Sequence, residues 1–216
     1  MQAFIFDMDG VIIDSEPIHS RVKLDTLAHF GLHFATEDLV RYMGRTSQAF
    51  FTDVLRDAQR TDISVADVTA FKHAHYLEVL ERGDIAPVAG SVELIHTLHA
   101  AGVPLGLATS SNRRVIQIVI KRFGLAGCFE SVISGGDLPA SKPDPEIYLR
   151  TASNLAQAPA DCVVLEDTQN GVLAAKRAGM LCIGYRNPHS GQQDLSQADR
   201  IVEHVSDLRL ADLRQM

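Results

Sequence analysis

Two aspartates follow the first short apolar run of the chain. Asp7 and Asp9 stand two positions apart, and Gly10 comes directly after them. In extended backbone this spacing directs both carboxylates to the same side, and glycine permits a sharp turn out of a strand. A second acidic pair, Glu166 and Asp167, follows a later apolar run. Together these side chains would crowd four carboxylates into one crevice.

Such crowding calls for a cation. Like charges at close range raise carboxyl pKa values unless a cation neutralises them, and all-oxygen ligand sets suit Mg²⁺. We therefore predict a magnesium site at these four residues. Because bound Mg²⁺ keeps positions for water and for phosphate oxygens, the site favours phosphoryl chemistry.

The remaining polar segments supply groups that could bind phosphate. Lys142, in a Ser-Lys-Pro segment, would balance the negative charge. The Thr109 hydroxyl, with the backbone N–H groups of Ser110 and Ser111 at a helix start, would donate to phosphate oxygens. Each segment alone could be an ordinary turn, cap or surface loop. Their order along the chain, each just after an apolar run or the loop that follows it, favours function.

The elements that would position these residues alternate between strand and helix. Short apolar runs predict buried parallel strands at 3–6, 103–108, 132–133, 162–165 and 181–185, with 201–202 as a candidate sixth. Amphipathic patterns predict helices at 91–101, 113–123 and 144–155. This alternation predicts an α/β fold with a doubly wound, Rossmann-like parallel sheet, in which ligands bind beyond the carboxyl ends of the strands.

A long stretch after the first strand has a different pattern, because amphipathic helical segments follow one another without strand-like runs. The segments lie at 18–30, 39–43, 50–55 and 68–80. We predict an all-helical cap domain at 16–83, inserted into a discontinuous catalytic core of 1–15 and 84–216. The connections at 14–17 and 83–87 would form a hinge.

Composition excludes several classes of protein. The chain has 216 residues, 46% of them hydrophobic and 22% charged, which is typical of a folded globular protein. A net charge of −7 disfavours nucleic acid as a partner. We find neither an apolar window long enough to span a membrane nor a basic leader, and so expect a cytoplasmic protein, either a monomer or a weak homo-oligomer. The three widely spaced cysteines predict buried thiols rather than disulfides or a zinc site.

Four segments of this sequence resemble motifs of one large family. Residues 4–16, 107–111, 141–145 and 164–171 are similar, in order, to the four motifs of the haloacid dehalogenase superfamily. The resemblance spans nearly the whole chain, and it is to the phosphatase and β-phosphoglucomutase-like branch, which carries a helical cap after the first motif.

The resemblance implies roles for the acidic residues. Asp7 would be the nucleophile that forms an aspartyl phosphate, and Asp9 the general acid and base. Mg²⁺ would be held by the Asp7 side chain, the Asp9 main-chain carbonyl and Asp167, with Glu166 either a further ligand or in the outer shell.

The resemblance also implies that the cap closes over the site and contacts the substrate. His19, Arg45 and Lys72 are the candidate contacts, although each could equally be a solvated surface residue.

Several functions share parts of this pattern. The leading hypothesis is a Mg²⁺-dependent phosphomonoesterase that acts on a small phosphorylated metabolite, such as a sugar phosphate. A β-phosphoglucomutase needs the same residues, so the motifs do not separate the two. A 2-haloacid dehalogenase has no need of Asp9 or Asp167, and a phospho-accepting signalling receiver would not contain the helical insert.

Overall fold

The computed structural model describes residues 1–35, 37–38, 42 and 46–216. Its contacts divide the chain into two compact units. The first comprises Met1–Ser15 and Ala86–Met216, and the second comprises Glu16–Ile85. The function of the second unit as a cap stays a prediction.

The first unit is built on a parallel sheet. Its strands within the described residues are β1 Ala3–Phe6, β2 Leu105–Thr109, β3 Ser131–Ser134, β4 Cys162–Glu166, β5 Leu181–Tyr185 and β6 Arg200–Val202. Their order is β3-β2-β1-β4-β5-β6, and every neighbouring pair is parallel. The predicted Rossmann-like α/β fold is confirmed. The order reverses beside β1, where such sheets open a crevice for ligands.

Register explains why the polar residues meet. Phe6 at the end of β1 pairs with Leu107 of β2 and with Leu165 of β4. All four residues of β1 are buried, as expected for a central strand covered on both faces. The residues that follow these strands therefore emerge side by side at one edge of the sheet.

The helices follow the predicted alternation. They are α1 Ser15–His29, α2 Ser47–Asp57, α3 Val65–Arg82, α4 Ser91–Ala100, α5 Arg113–Arg122, α6 Glu146–Asn154, α7 Gln169–Arg177 and α8 Leu210–Leu213. Side-chain caps fix the starts of two helices near the site. The Asn112 side chain accepts from Val115 N–H at the start of α5, and the Thr168 hydroxyl accepts from Gly171 N–H at the start of α7.

The boundary between the two units falls within the predicted connection at 14–17, but that connection is already partly helical. Helix α1 begins at Ser15, so Pro17 lies in its first turn, where a missing N–H costs no intrahelical hydrogen bond. Aromatic and aliphatic side chains of α1, α2 and α3 then form the core of the second unit, including Leu27, Phe50 and Val68. The helix predicted at 39–43 falls largely outside the described residues.

The cysteine prediction is confirmed, since Cys128, Cys162 and Cys182 are all free and buried. Among the described residues, no helix combines the length and the apolar character needed to cross a membrane.

Candidate active site

A buried lysine lies between two carboxylates at the carboxyl edge of the sheet. The Lys142 ammonium lies 2.6 Å from Asp7 Oδ1 and 2.6 Å from Glu166 Oε1, and it also donates to the Ala108 carbonyl at 3.1 Å. The side chains of Lys142, Asp7 and Glu166 are 7%, 9% and 1% exposed. Charges buried this deeply persist only when they are paired and hydrogen-bonded.

The pKa values show how burial and neighbouring charges act on each of these three groups. Burial opposes charge on Lys142, but the carboxylates of Asp7 and Glu166 outweigh it and raise the pKa of the lysine. Burial also opposes charge on Glu166, yet the charge and hydrogen bond of Lys142 lower its pKa. The pKa of Asp7 is raised well above its usual value, by burial first and then by Glu166, Asp167 and Asp9 against the opposing effect of Lys142. One ammonium thus leaves the acidic cluster short of positive charge.

Glu166 is fixed by hydrogen bonds to both of its oxygens. Its Oε1 accepts from Lys142 and from the Tyr148 hydroxyl, each at 2.6 Å. Its Oε2 accepts from the Asp167 N–H at 3.1 Å and from the N–H and hydroxyl of Thr168 at 3.2 and 3.1 Å. A carboxylate with this many donors is held as an anion and has little free capacity to ligate a metal.

Asp167 differs because one of its oxygens is free. Oδ2 accepts from the Ser190 hydroxyl, whereas Oδ1 is buried and has no hydrogen-bond partner among the described residues. A Cβ atom at Gly10 would overlap the Asp167 carboxylate, so only glycine allows this close approach. Burial, and then the charge of Glu166, raise the pKa of Asp167 to about 7.

These features fit a divalent cation. One carboxylate oxygen from each of Asp7, Glu166 and Asp167 lies within 4.8 Å of the other two. The cluster has excess negative charge, its candidate metal ligands are all oxygens, and one of these oxygens is buried without a hydrogen-bond partner among the described residues. A bound Mg²⁺ would supply that partner and neutralise the charge.

Asp9 is held separately by hydroxyl groups. Its Oδ2 accepts from the Ser111 hydroxyl at 2.7 Å and from the Thr109 hydroxyl at 3.3 Å. Thr109 also accepts from the Ser111 N–H at 3.0 Å. Ser110 is exposed, and both serines precede the N-cap of α5, Asn112, rather than forming the first turn of the helix. Only a backbone contact was predicted for Ser111, and its hydroxyl was missed, although the Thr-Ser-Ser segment carried the signal.

The second unit brings two of its predicted residues together. Lys72 Nζ lies 3.2 Å from His19 Nδ1, and the His19 ring stacks on Tyr76 at 4.2 Å between centroids. Burial, and then the charge of Lys23, lower the pKa of Lys72 to about 8. Burial, and then Lys72 and Lys23, lower the pKa of His19 to about 3, so its neutral ring accepts the hydrogen bond. Arg45 lies outside the described residues.

Sequence reasoning also missed the loop that follows β5. Asn187 Nδ2 donates to the Gly10 carbonyl at 2.8 Å, and His189 Nδ1 lies 2.5 Å from Asp14 Oδ2. With Ser190 on Asp167, this loop contacts both acidic segments. The available signal was position alone, because the loop follows a strand of the same sheet and so begins at the edge where the acidic residues lie.

Comparisons with known proteins agree with this geometry. A family model described as haloacid dehalogenase-like hydrolase matches residues 1–179. Validoxylamine A 7′-phosphate phosphatase of Streptomyces hygroscopicus subsp. limoneus is 30% identical over 95% of this chain and 94% of its own length. Hexitol phosphatase B of Escherichia coli strain K12 is 31% identical over 99% and 93%. The crystal structure of CbbY from Rhodobacter sphaeroides in complex with phosphate aligns with a TM-score of 0.81 at 27% identity, covering 99% of both chains.

Proposed function

Because this chain belongs to the haloacid dehalogenase-like hydrolases, we propose that it is a Mg²⁺-dependent phosphatase that transfers a phosphoryl group to Asp7 and then to water. The observation that carries the proposal is the buried cluster of Asp7, Lys142 and Glu166 beside the free oxygen of Asp167. The names of the two phosphatases above favour a small, polyhydroxylated phosphate monoester as substrate.

The metal would be held by the Asp7 side chain, the Asp9 main-chain carbonyl and Asp167. Bound there, Mg²⁺ would neutralise the crowded carboxylates and polarise the phosphoryl oxygens. The hydrogen-bonded state of Glu166 favours an outer-shell role, in which it holds Lys142 rather than the metal.

Asp7 acts as the nucleophile in this proposal. Its carboxylate forms a bond to phosphorus while the bond from phosphorus to the leaving oxygen breaks, which divides a difficult hydrolysis into two displacements. Lys142 orients Asp7 through Oδ1 and offsets the charge of the transferred group.

Asp9 moves the protons in both steps. It protonates the leaving oxygen, and then removes a proton from the water that attacks the phosphoaspartate, which releases phosphate and regenerates Asp7. The hydroxyls of Ser111 and Thr109 position Asp9 by donating to its Oδ2. Thr109 and the backbone at Ser110, with Lys142, would bind the remaining phosphoryl oxygens.

The second unit supplies substrate contacts in this proposal. His19 and Lys72, with Arg45, would contact the part of the substrate beyond the phosphoryl group, and closure of the unit would exclude water. Since burial and the charge of Lys23 lower the pKa of Lys72 against the opposing effect of Glu16, an anionic substrate would stabilise the ammonium.

A metabolite panel tests the proposal. Phosphate release from sugar and polyol phosphates should require Mg²⁺ and be lost on chelation, and the matched Asp7→Asn protein should be inactive on every substrate. Conversion of β-glucose 1-phosphate to glucose 6-phosphate without phosphate release would instead show a mutase. Metal-independent turnover, or full activity of Asp7→Asn, would contradict the assignment of the site.

A further inference from the structure

We propose that Ser190 is a positioning residue that sets which divalent cation the site accepts. Its hydroxyl donates to Oδ2 of Asp167 and leaves Oδ1 as the oxygen without a partner among the described residues, which favours single-oxygen binding of a small ion such as Mg²⁺ over a larger one such as Ca²⁺. The inference rests on the metal site of the function proposed above, and it adds a residue outside the four motif segments of the chain.

The Asp167 carboxylate has little freedom to turn. It is 2% exposed, and the backbone of Gly10 lies so close that no side chain would fit between them. Its own N–H donates to Glu166 Oε2. Because Ser190 also donates to Oδ2, these contacts hold the carboxylate in the orientation in which Oδ1 remains available to a metal ion.

Ser190 itself is anchored by its loop. Its N–H donates to the Asn187 carbonyl at 3.3 Å, and its own carbonyl accepts from Gln193 Nε2 at 2.8 Å. Asn187 is 5% exposed and is tied to the Gly10 carbonyl through Nδ2 and to the His189 N–H through Oδ1. The loop thus fixes Ser190 relative to the turn that follows Asp9.

The acids of the cluster share a feature that bears on ion size. Ca²⁺ takes six to eight oxygens and often binds both oxygens of one carboxylate, whereas Mg²⁺ requires a compact octahedron of single oxygens. Both oxygens of Glu166 accept hydrogen bonds, Asp7 Oδ1 accepts from Lys142, and Asp167 Oδ2 accepts from Ser190. Each carboxylate therefore has an oxygen that already accepts a hydrogen bond, which disfavours binding of one metal ion by both oxygens of the same carboxylate.

Among the groups that donate hydrogen bonds to these carboxylates, the Ser190 hydroxyl is neutral and lies outside the four motifs. It can therefore be removed without changing the charge of the cluster. Ser190→Ala frees Oδ2 of Asp167, so that this carboxylate can offer both oxygens. Ser190→Thr keeps the hydroxyl and serves as the matched control.

Titration calorimetry of the full chain with Mg²⁺ alone and with Ca²⁺ alone tests the proposal. In Ser190→Ala the ratio of the two dissociation constants should shift towards Ca²⁺ by roughly tenfold, the usual scale for an outer-shell change, while Ser190→Thr should keep the wild-type ratio. Ser190→Gly also lacks the hydroxyl and carries the same expectation if Ser190→Ala does not fold.

The outcomes separate the two proposals. An unchanged ratio in the variants without the hydroxyl, or an equal shift in Ser190→Thr, would overturn the role of Ser190 while leaving the metal site intact. A wild-type protein that binds neither ion would overturn the metal site, and with it the function proposed above.

Discussion

Each unit of the molecule buries a lysine, and the two lysines differ in their partners. The Lys142 side chain is 7% exposed and Lys72 is 8% exposed, and each ammonium lies 4.9 Å from the centroid of a tyrosine ring. Lys142 contacts two carboxylates, and its pKa is raised. Lys72 contacts a neutral histidine, and its pKa falls to about 8. Burial lowers the pKa of both lysines, and the carboxylates in contact with Lys142 outweigh that effect, whereas Lys72 has no such carboxylate contact among the described residues.

The difference also separates two kinds of binding group. In the α/β unit the partners of the lysine are already in place, since Lys142 is held between two carboxylates. In the helical unit Lys72 is buried against the neutral His19 ring instead, and under the function proposed above its ammonium would bind the substrate.

The largest effect is expected from Asp7→Asn. The nucleophile is lost while Lys142 keeps its contact with Glu166, so kcat should fall by at least about 10⁴-fold with the fold intact. Steady-state kinetics and far-ultraviolet circular dichroism measure both. A folded variant with wild-type turnover would show that Asp7 is not the nucleophile.

Matched replacement of the two lysines tests the comparison itself. Lys142→Met leaves two buried carboxylates without their cation and should destabilise the protein by about 3–5 kcal/mol in metal-free buffer. Lys72→Met removes a poorly compensated ammonium and should change stability by no more than about 1 kcal/mol. Urea unfolding measures both. Equal losses would show that the charge of the partner does not set how much each lysine contributes to stability.

The pH dependence of metal binding should follow Asp167. Without metal its pKa is raised to about 7, so its carboxyl destabilises the fold as pH rises towards 7, and Mg²⁺ should reverse that loss. Because ligands bind metal in their ionised form, Mg²⁺ affinity should weaken as pH falls below about 7, with proton release on binding. Calorimetry in buffers of different ionisation enthalpy measures that release. Because the pKa of Asp7 is also raised, Asp167→Asn should reduce this proton release without abolishing it, and undiminished release in that variant would show that Asp167 does not contribute to it.

An effect smaller than that of Lys142→Met is expected from Tyr148→Phe. The change removes one hydrogen bond to Glu166 Oε1, an oxygen that still accepts from Lys142, and should cost about 1–2 kcal/mol of unfolding free energy. Tyr148→Leu also removes the buried ring beside Lys142 and should cost more. Equal losses in urea unfolding would show that the hydroxyl, not the ring, contributes most of the stability.

Much of the α/β unit could be predicted because its signals are local. A central strand such as β1 is buried on both faces and so is apolar throughout, and parallel strands bring their carboxyl ends together. This is why Asp7 and Glu166 could be placed at one edge before their contacts were known.

Other features of the site depend on contacts between distant positions. Tyr148 lies within an amphipathic helix, where nothing in its spacing distinguishes it from a core residue, yet its hydroxyl fixes Glu166. Asn187 and Gly10 are 177 positions apart in the chain, and no periodic pattern records their hydrogen bond. The hydrogen bonds that fill both oxygens of Glu166 likewise arise only from the assembled sheet.

Identification of the phosphorylated residue tests the central claim most directly. Rapid mixing with substrate and Mg²⁺, acid quenching and borohydride reduction should convert the side chain at position 7 to homoserine, because reduction acts on an acyl phosphate and not on a free carboxylate. Peptide mass spectrometry should find this change in wild type and not in Asp7→Asn. A phosphoryl group on a different side chain, or turnover with position 7 unmodified at every quench time, would contradict the account.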